Sequence, residues 1–186
     1  MSLTPSNMLP LNTKAPDFCL INTIDDTLVS LNSAKGVNGT LIMFICNHCP
    51  FVIHVNSQLV QLAKDYALKG INCIAISSND IINYPQDNPK LMQQHAIDNG
   101  YTFPYLYDET QEVAKAYDAA CTPDFYIFNS ELKLVYRGQL DDSRPKNNIK
   151  LTGTDIRDAL DNLLRGTSIS EHQKPSIGCN IKWKQI

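Results

Sequence analysis

Two apolar runs, Thr40–Ile45 (TLIMFI) and Ile71–Ser77 (INCIAIS), constrain this chain more than anything else in it. Neither alternates cleanly between polar and apolar residues, so each reads as a strand covered on both faces. Between them Phe51, Val55, Leu59, Leu62 and Tyr66 recur at helical spacing from Pro50 to Lys69, and Gly70 stands where a C-terminal cap belongs. A helix that joins two strands of one sheet makes a crossover, and crossovers connect parallel strands. The expected class is therefore α/β, a central sheet flanked by helices.

Other elements arrange themselves around this unit. Pro16–Asn32 alternates loosely through Phe18, Leu20, Val29 and Leu31 about Asp25-Asp26-Thr27, which predicts an N-terminal hairpin. Pro89 opens a helix that runs to about Asn99 and stops at Gly100; Tyr105–Tyr107 follows as a short strand, then a helix over Thr110–Ala119. Phe125–Asn129 and Lys133–Arg137 form a hairpin through Asn129-Ser130-Glu131. Thr152 is the expected cap of a last helix ending at Arg165-Gly166, and the tail from Thr167 reads as irregular. With 186 residues, 43% of them hydrophobic, and no shift in composition along the chain, one domain over 1–186 is expected, with 1–15 as an arm and 167–186 as a tail.

Charge and hydropathy exclude several partners. A formal net charge of −3 with scattered lysines gives no footprint for nucleic acid. Leu41–Ile45 is far too short to span a bilayer, and Met1–Pro10 lacks the basic start and apolar block of a secretory signal, so no membrane partner and a cytoplasmic location are expected. Asn38-Gly39-Thr40 matches a glycosylation sequon but reads as a turn entering a strand.

Of six cysteines, at 19, 46, 49, 73, 121 and 179, only Cys46 and Cys49 have motif spacing, in Cys46-Asn47-His48-Cys49 followed by Pro50. Such a pair after a core strand points to redox chemistry or metal binding rather than a disulfide scaffold. The thiolate is the reactive form, and a helix N-terminus favours an anion by up to about 2 kcal/mol. Protonated His48 beside the sulfur would add to that. If Cys46 is the N-cap, Cys49 lies one turn inward and only Cys46 faces a partner. If the helix begins at Pro50, Cys49 is the capped thiol, because a residue before proline avoids the helical region. Zinc competes for Cys46, Cys49, His48 and His54, but no second half-site follows at finger spacing and His54 points away from Cys49, so no metal is expected. His54, His95 and His172 read as surface or packing residues. Cys19 and Cys73 sit in strand patterns where nothing favours a thiolate.

The segments APDFCL, FICNHCPFV, SSNDIINYPQDNP, FPYLYDETQEVAKAYDAACTPDF, YRGQLDDSRP and PSIGCNIKWK cover nearly the whole chain. Together they resemble a peroxiredoxin-like group of the alkyl hydroperoxide reductase/thiol-specific antioxidant family, within the thioredoxin-like superfamily. The resemblance implies a thioredoxin fold with an added N-terminal hairpin and an inserted helix. It implies a thiol-disulfide oxidoreductase in which Cys46 attacks, Cys49 resolves, and Asn47, His48, Pro50, Thr122 and Pro123 support the site. No cofactor is expected, because the electrons reside in the dithiol. Partners would be a protein disulfide or peroxide substrate, an external thiol reductant and, through a sheet edge or Trp183, a second copy in a homodimer. A peroxidase is the first alternative, although the threonine and arginine that surround a peroxiredoxin thiolate are replaced here by Met43, or Cys46 if Cys49 is the counterpart, and by Thr122-Pro123. A redox-sensing or metal-binding module without turnover is the second. Thr122-Pro123 resembles the cis-proline of thioredoxins and is expected against Cys46; Cys121 and Cys179 are candidate third thiols. Arg137–Arg144 is a candidate rim or a self-paired surface turn.

Overall fold

The computed structural model describes residues 3–185. In chain order the elements are β1 (Leu3–Pro5), β2 (Cys19–Asn22), β3 (Leu28–Ser30), α1 (Leu31–Ala34), β4 (Gly39–Phe44), α2 (Pro50–Ala67), β5 (Ile71–Ser77), α3 (Pro89–Asn99), β6 (Tyr105–Tyr107), α4 (Glu112–Ala116), β7 (Cys121–Thr122), β8 (Asp124–Asn129), β9 (Leu134–Gly138), α5 (Thr154–Arg165) and β10 (Ile177–Asn180). A 3-10 turn at Pro85–Asp87 precedes α3.

The main sheet runs β3-β2-β6-β5-β4-β8-β9. β4 and β5 are parallel through the α2 crossover, β6 is parallel to β5, and β8 runs antiparallel to β4. This is the mixed, helix-flanked sheet of a thioredoxin fold. Both apolar runs are buried on two faces. Leu41, Met43 and Ile45 pack with Val52, Leu59 and Ile156 on one side, while Ile42 and Phe44 pack with Leu31, Ala114 and Tyr117 on the other. The period-2 pleat divides each strand between two cores. Burying side chains of this size contributes about 1.5–3 kcal/mol each before entropy is charged against it.

Three local features differ from the sequence expectation. Gly70 is not the cap of α2; Leu68 is, in the right-handed region, and Gly70 turns the chain at φ 76. Gly153, at φ 71, caps α5 in place of Thr152, whose hydroxyl instead accepts from Thr154 N–H at 3.3 Å. The tail also contains regular structure: β10 joins β1 and β7 in a second, three-stranded sheet. No helix of the described residues is long and apolar enough to cross a membrane.

Candidate thiol site

β4 ends at Phe44, and its next residues, Ile45 and Cys46, continue into the crevice at the strand's carboxyl end. The helix does not begin there. Cys49 is the N-cap of α2, extended at φ −72 and ψ 121, with Pro50 at the first helical position. Proline is favoured at that position because its missing N–H would have no partner, and it forces Cys49 out of the helical region. The expectation that Cys46 caps the helix is therefore corrected in favour of Cys49.

Thr122 organises the sulfurs. Its hydroxyl lies 3.4 Å from Cys46 Sγ, and its carbonyl accepts from the Cys49 thiol at 3.1 Å. The Thr122-Pro123 bond is cis, as the resemblance implies. Cys49 Sγ is also 2.9 Å from Cys179 Sγ, brought in on β10 directly opposite Thr122. Cys49 thus meets Cys179 through its sulfur and shares Thr122 with Cys46.

The two motif cysteines hold their protons very differently. The Cys46 thiol, the Cys179 thiol and the Val52 and Cys179 backbone N–H groups bring Cys49 down from 9.0 to about 5 against the cost of burial. Cys46 goes the other way, raised by donating to Cys49, by burial and by the charge of Asp87. The two shifts run in opposite directions because the neighbouring sulfurs titrate as a pair. Access does not separate the pair, since Cys46 is 1% exposed and Cys49 0%.

Asp87, which the sequence reading did not single out, anchors the loop between them. It accepts from Asn47 N–H at 2.9 Å and Asn79 Nδ2 at 2.8 Å, and pairs with His48 Nδ1 at 2.7 Å. His48 pairs with Asp87 and stacks on Tyr84, and a ring nitrogen of it lies within 4.8 Å of Cys46 Sγ. Tyr105 O–H donates to Asn47 Oδ1 at 3.1 Å and completes the support. Cys46, His48 and Asp87 place one ligand atom each within 4.8 Å of one another, a set that could hold a cation. His54 stays outside it, with Nε2 3.0 Å from Ser143 Oγ.

The remaining residues fall away from the chemistry. Cys121 is buried and its thiol points to Pro123 O at 3.7 Å, with burial and Asp124 raising its pKa. Burial pushes Cys73 up to about 12 inside β5. Cys19 lies exposed on β2. His95 pairs with Asn56, and in the charged segment Arg144 binds back to Asp141 O, Ser143 O and Gln139, while Arg137 bonds Gln173, Asp141 accepts from Thr152 and Gly153, and Asp142 pairs with Lys174.

The profile of the AhpC/TSA family matches residues 11–137. A comparison with curated proteins gave no match. Among solved structures, an uncharacterized conserved protein from Geobacillus kaustophilus is 61% identical, with a TM-score of 0.98 over 100% of this chain and 98% of its own. A hypothetical protein from Sinorhizobium meliloti 1021 is 44% identical, with a TM-score of 0.96 over 98% of this chain and 100% of its own. The thioredoxin domain of a thiol-disulfide oxidoreductase from Bacteroides vulgatus shares the fold at 17% identity and a TM-score of 0.62, over 85% of this chain and 97% of its own.

Proposed function

This chain belongs to the AhpC/TSA family, which supports a thioredoxin-like redox function, and from that premise we propose that it is a thiol-disulfide oxidoreductase cycling Cys46 and Cys49 between dithiol and disulfide. The observation that carries this reading is geometric: Cys46 and Cys49 both meet the Thr122-Pro123 step, with Cys49 at the start of α2, where its pKa is brought down to about 5. Since the thiolate is the nucleophile, the reading reverses the order expected from sequence. Cys49 attacks a substrate disulfide, forming a mixed disulfide and expelling one substrate thiolate. Cys46 then attacks the Cys49 sulfur, releasing the second substrate sulfur, which takes the Cys46 proton. The product is a Cys46–Cys49 disulfide that an external thiol reductant returns to the starting state.

Limiting iodoacetamide near neutral pH tests the order. Cys49 should label first, and a protein carrying both Cys46→Ser and Cys179→Ser, in which neither neighbouring thiol can resolve the bond, should trap a mixed disulfide that Cys49→Ser does not form. Preferential labelling of Cys46, with trapping by the Cys49→Ser protein, would restore the opposite assignment.

A second reading, peroxide reduction by the same thiolate, is favoured by the burial of Cys49, which a small oxidant reaches more easily than a protein does. Against it stand Cys46, which takes the place of the threonine when Cys49 is the attacking sulfur, and Thr122-Pro123 in place of the arginine. Insulin reduction compared with peroxide consumption separates the two activities, and the zinc content of purified protein separates both from a metal-binding module.

A further inference from the structure

We propose that Cys179 is a third redox residue, to which Cys49 passes its disulfide, so that Cys46, Cys49 and Cys179 form a relay from the active loop to the C-terminal strand. The inference rests on the Cys46–Cys49 dithiol above and adds a step to it. Its basis is position. Cys49 Sγ lies 2.9 Å from Cys179 Sγ, and a disulfide needs about 2.05 Å, so the bond closes with sulfur movement of under about 1 Å.

The approach is built by the fold. Backbone pairing sets Cys179 opposite Thr122 and Asn180 opposite Cys121. Gly178 permits this contact, because a Cβ there would meet Thr122 O at 2.0 Å. Before the cysteine, Ser176 Oγ donates to Pro123 O at 2.6 Å; beyond it, Lys182 N–H donates to Asn79 Oδ1 at 2.8 Å and Lys182 O accepts from Asp80 N–H at 2.8 Å. The strand is tied on both sides of Cys179, and both ties run to the residues around the thiol pair.

The step is a thiol-disulfide exchange without net electron change. The Cys179 sulfur attacks Cys49 Sγ of the Cys46–Cys49 disulfide, the Cys49–Cys179 bond forms as the Cys46–Cys49 bond breaks, and the Cys179 proton passes to the leaving Cys46 sulfur. Cys46 returns to the thiol state while the oxidised site becomes covalently joined to β10.

Trypsin distinguishes the two bonds, since Cys46 and Cys49 share the peptide Gly36–Lys64 whereas Cys179 lies in Gly166–Lys182. Full-length protein is oxidised with oxidised glutathione, quenched in acid, alkylated and mapped by mass. Wild type should yield both the internal disulfide in Gly36–Lys64 and its cross-link to Gly166–Lys182. Cys46→Ser should give the cross-link alone, and Cys179→Ser the internal disulfide alone. An oxidised Cys46→Ser protein in which Cys49 carries only glutathione, with Cys179 still open to alkylation, overturns the relay. If wild type then still shows the internal disulfide, the dithiol reading stands without it. A cross-link in Cys46→Ser with no internal disulfide in wild type or Cys179→Ser overturns the dithiol reading, and the relay with it.

Discussion

At the scale of single residues, the chemistry turns on where one proton resides. Cys49 is stabilised as an anion first by the Cys46 thiol and then by Cys179 and nearby backbone N–H groups, and only in part by the helix it caps. Its alkylation rate should therefore follow a titration with a midpoint about 5, measured with iodoacetamide across pH. Cys46→Ala removes the largest stabilising donor and should move that midpoint upward; an unchanged profile would mean the Cys46 thiol does not donate. Asp87→Asn takes away a charge that raises Cys46, so the second thiol should titrate at lower pH than in wild type, readable by thiolate absorbance. The two cysteines and the Thr122-Pro123 step were legible in the sequence through spacing and resemblance. Pro50 also carries the clue to the helix start, since it favours Cys49 as the cap. Asp87 was not legible, because its partners His48 and Asn47 reach it across a loop that no local pattern records.

At the scale of elements, periodicity recovered the strands and helices whose apolar faces are continuous, and missed β10. Ile177–Asn180 is four residues long, follows Pro175 and contains Gly178, so it carries no signal that distinguishes strand from irregular tail. What makes it a strand is tertiary: β1 and β7 lie ready on either side. The same dependence makes Gly178 a sensitive position. In Gly178→Ala the new methyl meets the Thr122 carbonyl at 2.0 Å, and backbone on both sides leaves little room to yield. We expect a loss of about 1–3 kcal/mol in urea unfolding, typical of overpacking. Amide exchange should quicken selectively in β10 and β7. Unchanged stability and exchange would mean the two strands are not held at this distance in solution.

At the scale of the whole molecule, the two ends of the chain meet over the site through a buried carboxyl. Ser6 Oγ donates to Asp124 Oδ1 at 2.6 Å, Ser176 N–H donates to Ser6 Oγ at 3.0 Å, and Tyr126 O–H donates to Asp124 Oδ2 at 3.0 Å. Burial outweighs these donors and lifts Asp124 from 3.8 to about 7. A carboxyl whose pKa is raised by folding contributes stability that is fully present below its unfolded value and is lost as pH rises through the folded one. The Asp124 contribution should thus fall between about pH 4 and pH 7. Cys49 has the opposite sign: its depressed pKa gives stability that is present above an ordinary thiol value of 9.0 and lost as pH falls towards about 5. In reduced protein the two slopes oppose each other where the windows overlap, between about pH 5 and 7. Oxidation places Cys49 in a disulfide and removes its titration, leaving the Asp124 slope. Urea unfolding at stepped pH should therefore show oxidised wild type losing stability from about pH 4 to 7 more steeply than reduced wild type, while reduced Asp124→Asn gains stability from about pH 5 upward. Comparing variants at each pH cancels the other titrating groups, which the substitution leaves in place. Parallel pH curves for wild type and Asp124→Asn would place the titrating carboxyl elsewhere and leave the junction of the two termini as neutral hydrogen bonding.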